Sequence, residues 1–259
     1  MLRVLSILTV LTVPTVPSDE FNWHKAIAAG KTIEIIGVNG SIDAAGTSGR
    51  EVEVSAVKTG RRNDPAEVEI NVVEHPDGVT ICAVYPSRHR AEENECRPGG
   101  KGHMNSDNND VQVAWTIKVP AGVRFTGRTV NGHVTARGLG AEAEAHTVNG
   151  SIDLSTTSWA RASTVNGSIT AELGKADWPE ENRFSTVNGG ITVALPSAAS
   201  LEVSASTVNG SMSTEFPLTV TGRWGPHRMS GSIGQGGGGG GGRSLSLHTV
   251  NGSVQLRKR

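Results

Sequence analysis

The pentapeptide TVNGS occurs at residues 147–151, 164–168, 207–211 and 249–253, and near copies stand elsewhere in the chain. The Asn of each copy falls at Asn131, Asn149, Asn166, Asn188, Asn209 and Asn251, so the gaps run 18, 17, 22, 21 and then 42 residues. The last gap is twice its neighbour, and RMSGSIG, with Ser230 where Asn belongs, lies halfway across it. Seven units of 17–22 residues are therefore expected to follow one another from about residue 129 to 256. An eighth copy, GVNGSIDA around Asn39, stands alone near the start. A unit this short cannot bury an apolar face by itself, whereas stacking successive units does.

Asn-Gly is also a strong hairpin signal, and side-chain parity decides between the two. In a two-residue hairpin at Asn149-Gly150, Val148 would face Ser151 and Thr147 would face Ile152, mixing polar and apolar groups on both faces. An extended chain instead puts Val148, Gly150, Ile152 and Leu154 on one face and Thr147, Asn149, Ser151 and Asp153 on the other. The expectation is an all-β chain, a β-helix (β-solenoid) of about seven coils. Its Gly residues turn inward where coils approach, and Thr, Asn and Ser form outward ladders. A meander of antiparallel hairpins is the rival arrangement. Upstream, the segments KTIEIIGVNGSIDA, REVEVSAVKTG, AEVEINVVEH, GVTICAVYP and VQVAWTIKVPAG alternate in polarity between turn residues. They predict a β-strand-rich region over residues 19–120 that continues into the solenoid at 121–259 and covers one of its open ends. A Gly-rich loop at 234–243 inflates one corner.

The first 18 residues read as an export signal. One positive charge at Arg3 precedes an apolar run at residues 5–13, and Val16-Pro17-Ser18 suits cleavage before Asp19. A buried first strand is the alternative. Nothing after the signal is apolar over enough residues to span a bilayer. Cys82 and Cys96, the two cysteines of the chain, are expected to form a disulfide, as an even count in an exported chain does. Free thiols are the alternative, and the spacing matches no standard zinc site. The bridge would staple a polar, irregular loop to a strand and stabilise the fold by roughly 3 kcal/mol. A formal net charge of -1 gives no footprint for nucleic acid.

The TVNGSI series, the lead-in KVPAGVRF, the segment ITVALP and the closing LHTVNGSVQLRKR resemble the bacterial β-strand-repeat family known as DUF4097, an adhesin domain. They are similar in style to GIN-type adhesin head domains. The resemblance covers about residues 31 to 258 and implies an exported or envelope protein, periplasmic, secreted or on the cell surface. It also implies a β-helical fold with no established catalytic activity. The partner would be an envelope or surface component, glycan or protein, and no cofactor is implied.

Catalysis on a β-helix needs clustered carboxylates, but the outward positions two residues after the motif Ser are Asp153, Thr170, Thr192, Ser213 and Gln255. One acid among five builds no pair, so no catalytic residue is assigned. The run DNND at residues 107–110 resembles part of a calcium loop without its ligand spacing or closing Glu. Two surfaces remain for binding. The polar ladder could meet a periodic ligand such as a glycan, or it could serve only to hold the coils. The corners TSWAR, ADWPEENRF and GRWGPHR set Trp159 near Arg161, Trp178 near Arg183, and Trp224 near Arg228. Indole faces stack on sugars and guanidinium groups pair with anions, so these six residues are the candidate ligand surface. The alternative is that each Trp folds over the thin apolar layers as a cap.

Overall fold

The computed structural model describes residues 18–87, 93–106, 108–179, 181–220, 225, 227–234 and 243–259. The export-signal segment therefore lies outside the described residues except for Ser18, and so do residues 235–242 of the Gly-rich loop.

The N-terminal region forms seven strands: β1 (Ser18–Lys25), β2 (Thr32–Ile36), β3 (Ile42–Thr47), β4 (Val52–Thr59), β5 (Glu69–His75), β6 (Gly78–Val84) and β7 (Gln112–Pro120). The repeat region continues with β8 (Arg124–Arg128), β9 (Val134–Leu139), β10 (Ala143–His146), β11 (Ile152–Thr156), β12 (Ala160–Ser163), β13 (Ile169–Leu173), β14 (Asn182–Ser185) and β15 (Ile191–Leu195). It closes with β16 (Leu201–Ser206), β17 (Met212–Thr214), β18 (Leu218–Val220), β19 (Arg228–Ile233), β20 (Ser244–His248) and β21 (Val254–Lys258). Short 3-10 turns stand at Pro65–Glu67 and Pro98–Gly100. Among the described residues no helix is long and apolar enough to cross a membrane.

The chain is all-β and builds two large mixed sheets. The first runs β1-β4-β7-β3-β9-β11-β13-β15-β21-β17 and the second β18-β19-β16-β20-β14-β12-β10-β8-β2-β6-β5. From β8 to β15 the chain alternates between them, each strand pairing parallel with its counterpart one repeat earlier: Ile152 sits beside Val134, Ile169 beside Ile152 and Ile191 beside Ile169. The sequence dictates this register, because Ile or Val, then Ala, Leu or Val two residues on, alternate with polar residues in every such strand and bury only if they stack. Their partners across the core are small, Ala143, Ala145, Ala160 and Ala162 in the second sheet, with Phe125 and Phe184 filling wider places. Packing is close throughout, these side chains being 0–2% exposed.

Three sequence expectations are corrected. The Asn39 copy does not stand alone: Asn39 bridges Asn131 and begins the ladder, because β3 pairs parallel with β9. The units do not follow in chain order either, for Asn251 bridges both Asn188 and Asn209, placing the last repeat between the two before it. RMSGSIG is no degenerate coil. It is β19, antiparallel to β16 and β18, and Ser230 faces Ser204 instead of joining the Asn row.

Side-chain parity also differs from the expectation. TVNGS is neither a hairpin tip nor a continuous strand but the corner at which the chain leaves the second sheet and enters the first, as from β10 to β11. Because the flanking strands lie in different sheets, alternation does not carry across the motif. Thr147, Thr164, Thr186, Thr207 and Thr249 are buried at 0–6% exposure, whereas Val148, Val165 and Val187 are 38–39% exposed and Val208 is 55% exposed. The motif Gly does point at its neighbour: a Cβ on Gly167 would lie 2.0 Å from the Gly150 carbonyl oxygen of the preceding repeat. Only glycine permits that approach.

Candidate binding surfaces

Two hydrogen-bonded rows run along the corners. In the outer one each Asn amide donates from Nδ2 to the Oδ1 of the neighbouring rung: Asn131 to Asn39 at 2.9 Å, Asn149 to Asn131, Asn166 to Asn149 and Asn188 to Asn166 at 2.8 Å, Asn251 to Asn188 at 2.7 Å and Asn209 to Asn251 at 2.8 Å. In the inner row each Thr hydroxyl donates to a Gly carbonyl of the adjoining rung, at 2.9 Å for Thr147, Thr164, Thr186, Thr207 and Thr249. The amides thus satisfy one another at the strand spacing of about 4.8 Å. What the corner offers to solvent beside them is a row of valines, a surface the parity argument had turned inward.

The loop that replaces this corner between β6 and β7 covers the start of the row. Cys82 and Cys96 are disulfide-bonded, which ties the loop to β6. Buried Glu34 accepts hydrogen bonds from Thr80 Oγ1 at 2.9 Å and Gly99 N at 2.8 Å, and forms an ion pair with Arg128 Nε at 2.9 Å. Met104, Gly37, Thr129 and Val130 line one small hollow beneath it, and Val38 is only 4% exposed.

Of the six candidate ligand residues, those described do not form one strip. Trp178 is 2% exposed and its Nε1 donates to the Ser244 carbonyl at 2.9 Å, so it presents no ring face to solvent. Arg183 is exposed and pairs with Glu181 at 2.9 Å. Trp224 lies outside the described residues, and Arg228 is exposed in β19. Among the described residues Trp159 and Arg161 meet, the guanidinium lying 5.0 Å from the ring centroid.

Around Trp159 a hollow of about 320 Å³ crosses successive strands of the second sheet, lined by Thr32, Arg124, Thr126, Glu142, Glu144 and Pro179 among others. Arg124 and Glu142 pair at 3.1 Å, and Arg128 reaches Glu144 at 3.6 Å. His146 Nε2 lies 2.6 Å from Glu144 Oε1, and this hydrogen bond holds the Glu144 carboxyl below the usual carboxylate range against the opposing effect of burial. The hollow therefore combines a half-buried indole with fixed donors and acceptors of both signs. A second aromatic hollow, of about 420 Å³, lies on the first sheet around Trp23 with Asn22, His24, Glu53, Thr116 and Lys118. No sequence signal singled out Trp23, because it belongs to no repeat.

The DNND run holds no cluster of ligands among the described residues. Asp107 lies outside them, and the Asp110 carboxylate accepts from the backbone of Asn63 at 3.0 Å and of Arg62 at 3.1 Å. Those backbone bonds draw its pKa down despite burial.

No family model matches the chain, and no curated protein matches it in sequence. Among solved structures it is similar to one provisionally named a cell adhesion protein, from Clostridium sporogenes, with 11% identity, 93% of this chain and 100% of that one covered, and a TM-score of 0.48. A second, provisionally named an adhesin, from Bacteroides fragilis, shows 13% identity over 93% of this chain and 97% of that one, TM-score 0.38. A third so named, from Parabacteroides distasonis, shows 9% identity with the same two coverages, 93% and 97%, and a TM-score of 0.28.

Proposed function

We propose that this chain is an exported, non-enzymatic β-solenoid of adhesin type that attaches to a saccharide-bearing envelope or surface component. The solenoid reading is supported by the parallel, one-repeat register from β8 to β15 and by the unbroken Asn row. Export is supported by the disulfide, which persists in oxidising compartments. The absence of a catalytic role rests on the carboxylates: Glu142 and Glu144 in the Trp159 hollow are each tied to a neighbouring cation or imidazole, which suits holding a ligand more than proton transfer.

The observation that carries the ligand class is the Trp159 hollow. A pyranose presents an apolar C–H face that stacks on indole and a rim of hydroxyls that both donate and accept, and Arg124, Thr126, Glu142 and Glu144 supply the complementary groups. The test is binding of the mature chain to immobilised glycans, peptidoglycan and whole envelopes, with Trp159→Ala and Trp23→Ala in parallel. Truncating a central aromatic anchor costs about 2 kcal/mol or more, so Trp159→Ala should weaken saturable binding by at least about 30-fold. Binding unchanged in Trp159→Ala, or absent from the whole panel, refutes the assignment. Loss confined to Trp23→Ala moves the site to the first sheet.

A protein partner is the second reading, favoured by the exposed row Val148, Val165, Val187 and Val208. Loss of binding in Val165→Asp with Trp159→Ala unaffected would select it.

A further inference from the structure

The chain contains seven Asn-Gly pairs, at Asn39, Asn131, Asn149, Asn166, Asn188, Asn209 and Asn251. Asn-Gly is the dipeptide most prone to spontaneous deamidation, because the unhindered Gly nitrogen can attack the Asn side-chain Cγ. The attack requires that nitrogen to lose its proton and swing towards the amide. In this fold six of the seven are held against it. Gly40 N donates to the Asn131 carbonyl at 2.8 Å, Gly132 N to Asn149 and Gly150 N to Asn166 at 3.0 Å, and Gly167 N to Asn188, Gly189 N to Asn251 and Gly252 N to Asn209 at 2.9 Å. Each bond is made to the next rung of the stack. Asn209 stands on the last rung, so Gly210 N donates to no acceptor among the described residues. The same rung carries the most exposed valine of the row, Val208 at 55%.

We infer that Asn209 is the site of spontaneous covalent modification in the folded protein. The Gly210 nitrogen, having given up its proton, forms a bond to Cγ of Asn209, the side-chain nitrogen leaves as ammonia, and a succinimide ring results. Water then opens the ring at either carbonyl to give aspartate or isoaspartate. No oxidant or cofactor enters the balance. The product lacks the Nδ2 donor that Asn209 extends to Asn251 Oδ1 at 2.8 Å and sets a carboxylate against that oxygen instead. Isoaspartate further adds a methylene to the main chain, shifting the register of this one rung. The step therefore adds negative charge at the open end of the Asn row and leaves the other six rungs intact.

The test is peptide mapping by mass spectrometry, following all seven Asn-Gly sites while the full chain is held folded at mildly alkaline pH and, separately, unfolded in denaturant. Inner rungs react only after opening, so conversion at Asn209 should be at least about tenfold faster than at any other site in the folded chain, the factor that an opening free energy of about 1.4 kcal/mol imposes. In denaturant the seven rates should converge. Equal rates in the folded chain, or an inner Asn converting first, overturns the inference. A preference for Asn209 that survives unfolding overturns it as well, because neighbouring sequence and not the ladder would then set the rate.

Discussion

Exchanging hydroxyl and methyl at two adjacent positions tests the inverted parity of the corner. Thr164 is 5% exposed and its hydroxyl donates to the Gly150 carbonyl at 2.9 Å, while Val165 next to it is 39% exposed. Thr164→Val keeps the shape and removes the donor. No other donor among the described residues reaches that carbonyl oxygen, so a buried acceptor is left unpaired, at a cost of about 1–3 kcal/mol. At about 2–4 °C per kcal/mol for a domain near this size, Tm should fall by roughly 2–12 °C. Val165→Thr makes the reverse change on the surface and should stay within about 0.5 kcal/mol of wild type.

Thermal unfolding followed by circular dichroism, with urea midpoints as a second measure, separates these outcomes. Were the chain extended through the motif with Thr outward, the order would invert: Val165→Thr would place a hydroxyl in the core, and Thr164→Val would be nearly silent. A larger loss from Val165→Thr than from Thr164→Val therefore refutes the corner geometry. The Thr186 and Val187 pair repeats the test one rung along, with exposures of 2% and 39%.

The inward amide of Asn182 offers a change of opposite sign. It is 0% exposed, and neither Nδ2 nor Oδ1 has a hydrogen-bond partner among the described residues. Asn182→Leu should raise stability by about 1–3 kcal/mol, and a lower Tm would show that the amide is satisfied in solution. Acid sensitivity should trace partly to Glu144, whose carboxyl is held low by His146. A carboxyl whose folded pKa is depressed releases its proton more readily in the folded state, so its contribution is present above the ordinary value of 4.5 and is lost as pH falls through the folded value. Wild type should lose more stability on acidification than Glu144→Gln, by a margin kept small by solvent exposure of the side chain, and superimposable pH profiles would refute this.

The elements legible in the sequence are those whose signal is local and repeated. Alternation in Ile152–Thr156, Ile169–Leu173, Ile191–Leu195 and Val254–Lys258 marks strands with one buried face, and the recurring Asn marks the register between them. Parity does not carry through TVNGS because a corner between two sheets breaks the period of two, and nothing within five residues announces which sheet comes next. The place of Trp178 was hidden for another reason. Its ring is buried and its Nε1 bonded to Ser244, 66 residues away, so a Trp beside an Arg in sequence could be cap or ligand platform until the long-range contact was known. Trp159, with Arg161 two residues on in the same strand region, needed only a local contact.

The order of the rungs shows why the ends of the stack, more than its middle, carry the protein's individuality. A pair of sheets assembled strictly in chain order would finish on the last strand and leave that edge open. Here β20 lies between β14 and β16, and β21 between β15 and β17, so both are inner strands, and the Lys258 backbone N–H donates to Glu215 at 2.8 Å. The segment that precedes it in sequence becomes the terminal layer, and β16, β19 and β18 end the second sheet with antiparallel pairs. The opposite end is finished in the same way, by β4 and β1 on the first sheet and β5 on the second. Three of the four sheet ends thus leave the repeat's parallel register before they meet solvent. The fourth is β17, a three-residue strand paired parallel with β21. Shortness limits its use as a template for another chain, but its rung still ends in the Asn209-Gly210 pair with no next rung among the described residues to hold it. The one place where the stack simply stops is also the place where its repeated chemistry is left unprotected.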